Sequence, residues 1–169
     1  LIGLMTAITC ILAPLSIPLP FSPVPISLTN LVIFISVFIL GMKDATISFL
    51  IYLLLGAVGL PVFASFHAGL SVLAGPTGGY LIGFIFLALI QGFAMKYFDR
   101  KLIPTIIGML IGMAVCYIFG TVWLAKLMSL SFKEGLFMGV IPYLPGDAVK
   151  IIIAVIVGPK LYAATKKVR

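Results

Sequence analysis

Pro145-Gly146-Asp147-Ala148-Val149-Lys150 runs directly into Ile151-Ile152-Ile153-Ala154-Val155-Ile156-Val157, so an acid and a base head a strongly apolar run. If that run is helical, positions i and i+3 share a face, with Cβ atoms about 5–6 Å apart. A charged side chain at the centre of a membrane span costs about 2.5–3.5 kcal/mol on insertion scales, and less near an end. Only 9% of the 169 residues are charged, so two charges placed here need a reason. One reason is a polar solute met in a pocket that opens to the outside. Spacing alone also allows a second: Asp147 caps the helix after Pro-Gly, and Lys150 neutralises it or snorkels to the interface.

The rest of the chain supplies the setting. It is 63% hydrophobic, far more than a water-soluble domain of this size needs, which makes it a polytopic membrane protein. A span takes roughly 20 residues. The expected fold is an all-α membrane protein forming one transmembrane domain over 1–169. Its six spans fall near 1–16, 28–41, 44–58, 77–98, 104–128 and 147–165. The net charge of +7 is not a nucleic-acid footprint, because its basic residues lie where loops belong. Cys10 and Cys116 are isolated in apolar runs, which suits buried small hydrophobes rather than a disulfide or metal site. The chain begins at Leu1 rather than Met, so residues upstream are expected. Its first segment lacks the basic n-region and A-x-A site of a signal peptide.

Between the spans the connections are unusual. Gly3-x-x-x-Ala7 and Thr6-x-x-x-Cys10 place small residues at four-residue spacing, which lets a second helix approach, from this chain or another. Residues 17–27 carry Pro18, Pro20, Pro23 and Pro25 and no charge. Proline lacks a helix donor, so this is an extended loop, and an uncharged one is expected to lie over something. Lys43-Asp44 reads as a tight turn with Asp44 capping the third span. The stretch 59–80 is rich in glycine, proline and aromatics. Non-helical backbone at membrane depth is tolerated only inside protein or beside a cavity, so this stretch is a candidate pocket wall. Gly108-x-x-x-Gly112 is expected to pack within the chain. Ser129–Glu134 reads as a turn, and 135–142 as an interfacial or re-entrant piece too short to span.

Orientation follows from the lysines and arginines. With the N-terminus inside, the cytoplasmic side holds Lys43, Lys96, Arg100, Lys101, Lys160, Lys166, Lys167 and Arg169, against Lys126 and Lys133 outside. The positive-inside rule therefore puts both termini in the cytoplasm. The proline loop, the 63–80 loop and Tyr143–Lys150 then share the outer side. There Asp147 offers acceptors and Lys150 donors, suited to a neutral amide-like group or, for Lys150, a carboxylate. Phe63, Phe66, Tyr80 and Tyr143 can form an apolar slot beneath. His67 has no second ligand in view and suits loop packing rather than a metal.

Enzyme chemistry has little to stand on. There is no phosphate-binding G-x-x-x-x-G-K-[ST] loop, no H-E-x-x-H and, with one histidine, no Ser/His/Asp set. A carboxylate relay through the first five spans is likewise not visible. A solute binder without a motor, or a self-sufficient secondary transporter of a small amphipathic solute, fits this inventory better than an enzyme.

Four segments carry a resemblance: IPLPFSPVPISLTNL (17–31), YLLLGAVGLPVFASF (52–66), GPTGGYLIGF (75–84) and YLPGDAVK (143–150). In this order and combination the chain resembles the BioY family, the biotin-specific substrate-binding (S) components of energy-coupling factor transporters. The resemblance implies six spans in a bacterial cell membrane, biotin capture from outside, and no cofactor, biotin being the transported substrate. It also implies a transmembrane T component and two cytoplasmic ATP-hydrolysing A subunits as partners. Asp147 and Lys150 take the family's PGD-x-x-K positions, which implies a ligand role. Thr77 and Tyr80 take positions of its GPTGGY motif. Gly3 and Ala7 fall where the first helix meets the T component. No residue is thereby assigned to the biotin carboxylate.

Overall fold

The structure is a computed structural model that describes residues 1–166. Lys167 and Arg169, counted above for orientation, lie outside the described residues. Helix α1 (Ile2–Leu12) leads into strands β1 (Ser16–Leu19) and β2 (Ser22–Ser27), then α2 (Thr29–Leu40) and α3 (Met42–Ala57). A 3₁₀ turn (Ala64–Phe66) and the short α4 (Leu70–Ala74) precede α5 (Gly78–Tyr97) and α6 (Leu102–Met128). The chain closes with α7 (Phe132–Gly139), a second 3₁₀ turn (Ile141–Tyr143) and α8 (Leu144–Lys166). Helices α1, α2, α3, α5, α6 and α8 overlap the six stretches expected to span. By length and apolar composition α5, α6 and the stretch Phe132–Lys166 are each sufficient to cross a membrane, while α1 and α2 are shorter apolar helices.

Helix α2 is the centre of the bundle. Ten of its twelve residues are buried, as expected for a helix apolar on every side. Phe34, Val37 and Phe38 pack with Phe49 and Tyr52 of α3, Leu87 of α5 and Met109 of α6. Helix α8 runs parallel to α2. Asn30 meets Asp147 at one end, and at the other Phe38 lies against Gly158. Arg100 closes that second end, donating to the Phe38 carbonyl at 2.7 Å with its guanidinium 3.7 Å over the Tyr162 ring. Pro159 lies within α8 without ending it.

Glycines set how closely α5 and α6 approach. A Cβ on Gly83 falls 2.8 Å from Cys116 Cα, one on Gly112 falls 3.0 Å from Leu87 Cα, and Gly108 faces Ala94. The 108/112 pair thus packs within the chain, as expected. In 75–84 the glycines at 79 and 83 serve the same purpose, against Trp123 and Cys116, while Gly78 lets α5 approach Leu73 of α4.

Hydroxyls join α1 to α3. Thr6 Oγ1 and Ser48 Oγ lie 2.9 Å apart, both buried. Ser48→Ala should lower unfolding stability in detergent by about 0.6 kcal/mol, the average for such bonds between membrane helices, read as a small drop in Tm. Gly3 and Ala7 lie on the opposite, exposed face of α1 with Leu4 and Ile11. Nothing approaches within 4 Å of a Cβ built on Gly3, so this face is not filled by the chain's own helices.

Four expectations need correction. The proline segment is an antiparallel hairpin, pairing Ser16 with Ser27, Ile17 with Ile26 and Leu19 with Ser22, so the fold is not purely helical. Both strands are edges, and Pro18 falls at the register irregularity, where a missing N–H costs no ladder bond. The turn before α3 is made by Gly41 at φ +83° rather than by Lys43-Asp44. Asp44 lies in the first helical turn, stabilised by the helix dipole without capping it. Ser131–Glu134 opens α7 through a reciprocal capping box, so helix begins inside the expected turn. Helix α8 begins at Leu144, three residues before the expected start at Asp147.

Candidate functional site

The N-terminal ends of α2, α5 and α8, the α3–α4 loop and the hairpin gather around one cavity of about 460 Å³. That lies within the roughly 300–1,000 Å³ of small-molecule sites. The six residues singled out from sequence as substrate-binding, Asp147, Lys150, Tyr80, Thr77, Phe63 and Tyr143, all line it. Phe66, the fourth aromatic named above, is 63% exposed and is not among the lining residues.

The charged pair is buried and joined. Lys150 Nζ lies 2.8 Å from Asp147 Oδ1, with the two residues 8% and 7% exposed. Taking two ions out of water costs several kcal/mol each, which their attraction offsets only when further hydrogen bonds complete the arrangement. Here they do. Asn30 Nδ2 donates to Asp147 Oδ1 at 2.7 Å, and the Tyr117 hydroxyl donates to Oδ2. Lys150 Nζ also donates to the Ser27 carbonyl at 2.7 Å. Asp147 is therefore not the cap of α8. It lies in the first turn, and its carboxylate is spent on side chains of α2, α6 and α8.

Counting valences shows what is left. A carboxylate offers about four acceptor directions and an ammonium three donors. Asp147 uses three and Lys150 two. One acceptor and one donor stay free, side by side, in a centre of no net charge. A group that presents N–H beside C=O, and is itself neutral, satisfies both.

Aromatics and the hairpin shape the remainder. Phe63 is 1% exposed, its ring against Gly56 and edge-on to Tyr52 at 5.6 Å. The Tyr80 hydroxyl donates to the Gly139 carbonyl at 2.9 Å, which turns its ring to the cavity as apolar wall. Thr77 precedes α5 and approaches the Val72 carbonyl at 3.5 Å. The hairpin is tied down at three points. Tyr143 bonds the Val24 carbonyl and lies 2.8 Å from Ser22 Oγ, Lys150 holds Ser27, and Ser16 Oγ lies 2.9 Å from Ser65 Oγ. Prolines 18, 23 and 25 thus cover the cavity, as an uncharged loop should.

Two members of the site escaped sequence reasoning. Asn30 is the chain's only asparagine, set at the head of an apolar helix. That rarity was the available signal. Tyr117 lies mid-helix among apolar residues and carries none. Gly3 and Ala7 are on α1 and do not line the cavity. His67 does line it, with Nδ1 2.9 Å from the Ala64 carbonyl. Among the described residues no cluster of three His, Cys, Asp or Glu suited to a metal is present.

Known proteins share this architecture and sequence. The chain is 34% identical to a probable biotin transporter BioY of Pyrococcus horikoshii, over 98% of this chain and 96% of the relative. It is 35% identical to the biotin transporter BioY of Thermotoga maritima, over 94% and 92% respectively. The solved S-component for biotin from an ECF-type ABC transporter superposes with a TM-score of 0.88 at 32% identity, covering 95% of this chain and 87% of that one. The model of the BioY family matches residues 1–167, and the chain belongs to that family.

Proposed function

We propose that this chain is the biotin-binding S component of an energy-coupling factor transporter. The observation that carries this is the neutral Asp147–Lys150 centre, with one acceptor and one donor free inside a cavity lined mostly by apolar and aromatic residues. Biotin's ureido ring presents N–H beside C=O, the complement of those two valences. The N–H meets Asp147 and the C=O meets Lys150, while Phe63, Tyr80 and Tyr143 line the slot for the rest of the bicycle. Thr77 stands at its edge.

In this proposal the single domain crosses the plasma membrane six times, with both termini cytoplasmic and the cavity opening outward. It has no catalytic residues and no ATP site. Transport energy comes from two A subunits through a T component, whose helices meet the exposed Gly3–Ala7 face of α1. The hairpin opens to admit biotin and closes over it.

The test is equilibrium binding of radiolabelled biotin to the purified chain in detergent. Saturable binding at one site per chain is expected, and no binding by the parent removes the substrate assignment. Tyr143→Phe frees one tether of the hairpin. Losing a hydrogen bond worth about 1 kcal/mol should speed biotin release roughly fivefold, measured by chase with unlabelled biotin.

A further inference from the structure

Phe66 is the aromatic of the 59–80 stretch that the cavity does not explain. Ala64, Ser65 and His67 line the cavity, whereas Phe66, set among them, is turned outward and exposed. The chain achieves this by taking Ser65 and Phe66 into the left-handed region, at φ 58° and 59°. A bulky side chain resists that conformation. An aromatic held there, facing away from its own protein, points to something outside that receives it.

Its neighbours are apolar too. Ser16 Oγ lies 2.9 Å from Ser65 Oγ and accepts from the Ser65 N–H, which also faces the Pro14 carbonyl at 3.1 Å. This seam joins the hairpin to the 3₁₀ turn, so the exposed Leu15 and Ile17, on either side of Ser16, come to the same edge as Phe66. Phe21, at the hairpin tip, is exposed as well. Residues 13–28 contain no ionisable side chain, and 58–77 contain only His67, which lines the cavity. The start of α7 differs, with Lys133 and Glu134 both exposed. Contiguous apolar surface of this kind marks an interaction site.

The geometry points to lipid as the occupant: Phe66, Ile17 and Phe21 anchor one edge of the cavity's cover in the bilayer leaflet at that end. Three features fit lipid. The patch continues the exposed apolar row of α3, where Leu50, Leu54 and Val58 follow at four-residue spacing and lead into the 59–69 loop. Backbone that enters a bilayer must satisfy its hydrogen bonds within the protein, and the Ser16–Ser65 seam does so. Aromatic rings are favoured at the level of the headgroups, which gives the outward Phe66 its surrounding. Because the turn is stitched to the hairpin, lipid that holds Phe66 also steadies the hairpin over the cavity.

The test is depth-dependent fluorescence quenching of the full chain in phosphatidylcholine–phosphatidylglycerol vesicles. Trp123, the only tryptophan, is removed as Trp123→Phe, and Ile17→Trp, Phe66→Trp or Lys133→Trp is introduced in turn. Lipids brominated on the acyl carbons nearest the headgroup report contact with the bilayer, and iodide on both sides reports contact with water. Side chains sunk about 5–10 Å into the headgroup–acyl boundary should lose about half their emission to brominated lipid and little to iodide. This is expected at positions 17 and 66, and the reverse at 133. Iodide quenching at 17 and 66 as strong as at 133, without bromine quenching, puts the patch in water and overturns the proposal. Quenching by neither marks a face covered by a second copy of the chain and overturns it equally. Should the Trp123→Phe background fail to fold, the same substitutions in the parent are read as changes over the signal of Trp123 alone.

Discussion

Asp147→Ala should reduce biotin affinity by more than roughly 100-fold, the consequence of leaving one member of a buried ion pair alone, at about 3–5 kcal/mol. The lost carboxylate accepts from Asn30, Tyr117 and Lys150 at once. Its removal leaves an ammonium 8% exposed with only the Ser27 carbonyl as partner. The same change destabilises the fold, so binding and stability must be read separately. The double variant Asp147→Asn/Lys150→Met does this. Replacing a buried ion pair by neutral groups of similar volume is often neutral or stabilising, so thermal stability in detergent should return towards the parent. Biotin binding should not return, because the ammonium donor is gone and the single amide oxygen left at position 147 is taken by Asn30 and Tyr117. Recovery of binding in the double variant would mean that the pair only supports the helix.

The second large effect comes from a residue that touches no ligand. Gly83→Val places a Cβ 2.8 Å from Cys116 Cα and 3.0 Å from its carbonyl oxygen, and neither backbone atom can rotate away. Helices α5 and α6 must then separate. Overpacking of this kind costs about 1–3 kcal/mol, and here it also moves Tyr117, one residue from Cys116, off Asp147. The expected result is a clear fall in Tm in detergent together with weakened biotin binding. Gly3→Val is the control. With nothing within 4 Å of its Cβ, it should leave Tm and biotin binding unchanged. If Gly83→Val matches the parent in both measurements, the α5–α6 contact does not set the site.

These residues show what a sequence discloses in a membrane protein. Charge is scarce in apolar spans, so Asp147 and Lys150 were conspicuous and their i, i+3 spacing fixed a shared face. The main apolar helices were legible for the same reason, as apolar runs broken by glycine, proline and charge. Partners distant in sequence were not. Asn30 and Tyr117 lie 117 and 30 residues from Asp147, and an amide or phenol in an apolar helix is equally at home as a cap or interface anchor. The hairpin was hidden because alternating prolines argue against strands in general, and only the lack of inner neighbours makes them permissible here. Ser131-x-x-Glu134 did carry a capping-box pattern; the short helix it starts was obscured by the turn residues around it. The glycines of 59–80 marked a candidate pocket wall, and at 78 and 79 the close approach is of one helix to another, as it is at 83.

The most direct test of the central claim is a crystal structure of this chain with biotin bound. The ureido ring is expected beside the pair, one N–H donating to Asp147 Oδ2 and the carbonyl accepting from Lys150 Nζ, with the Asn30 and Tyr117 bonds retained. Biotin seated elsewhere, with Asp147 and Lys150 bonded only to each other and to protein, would contradict it.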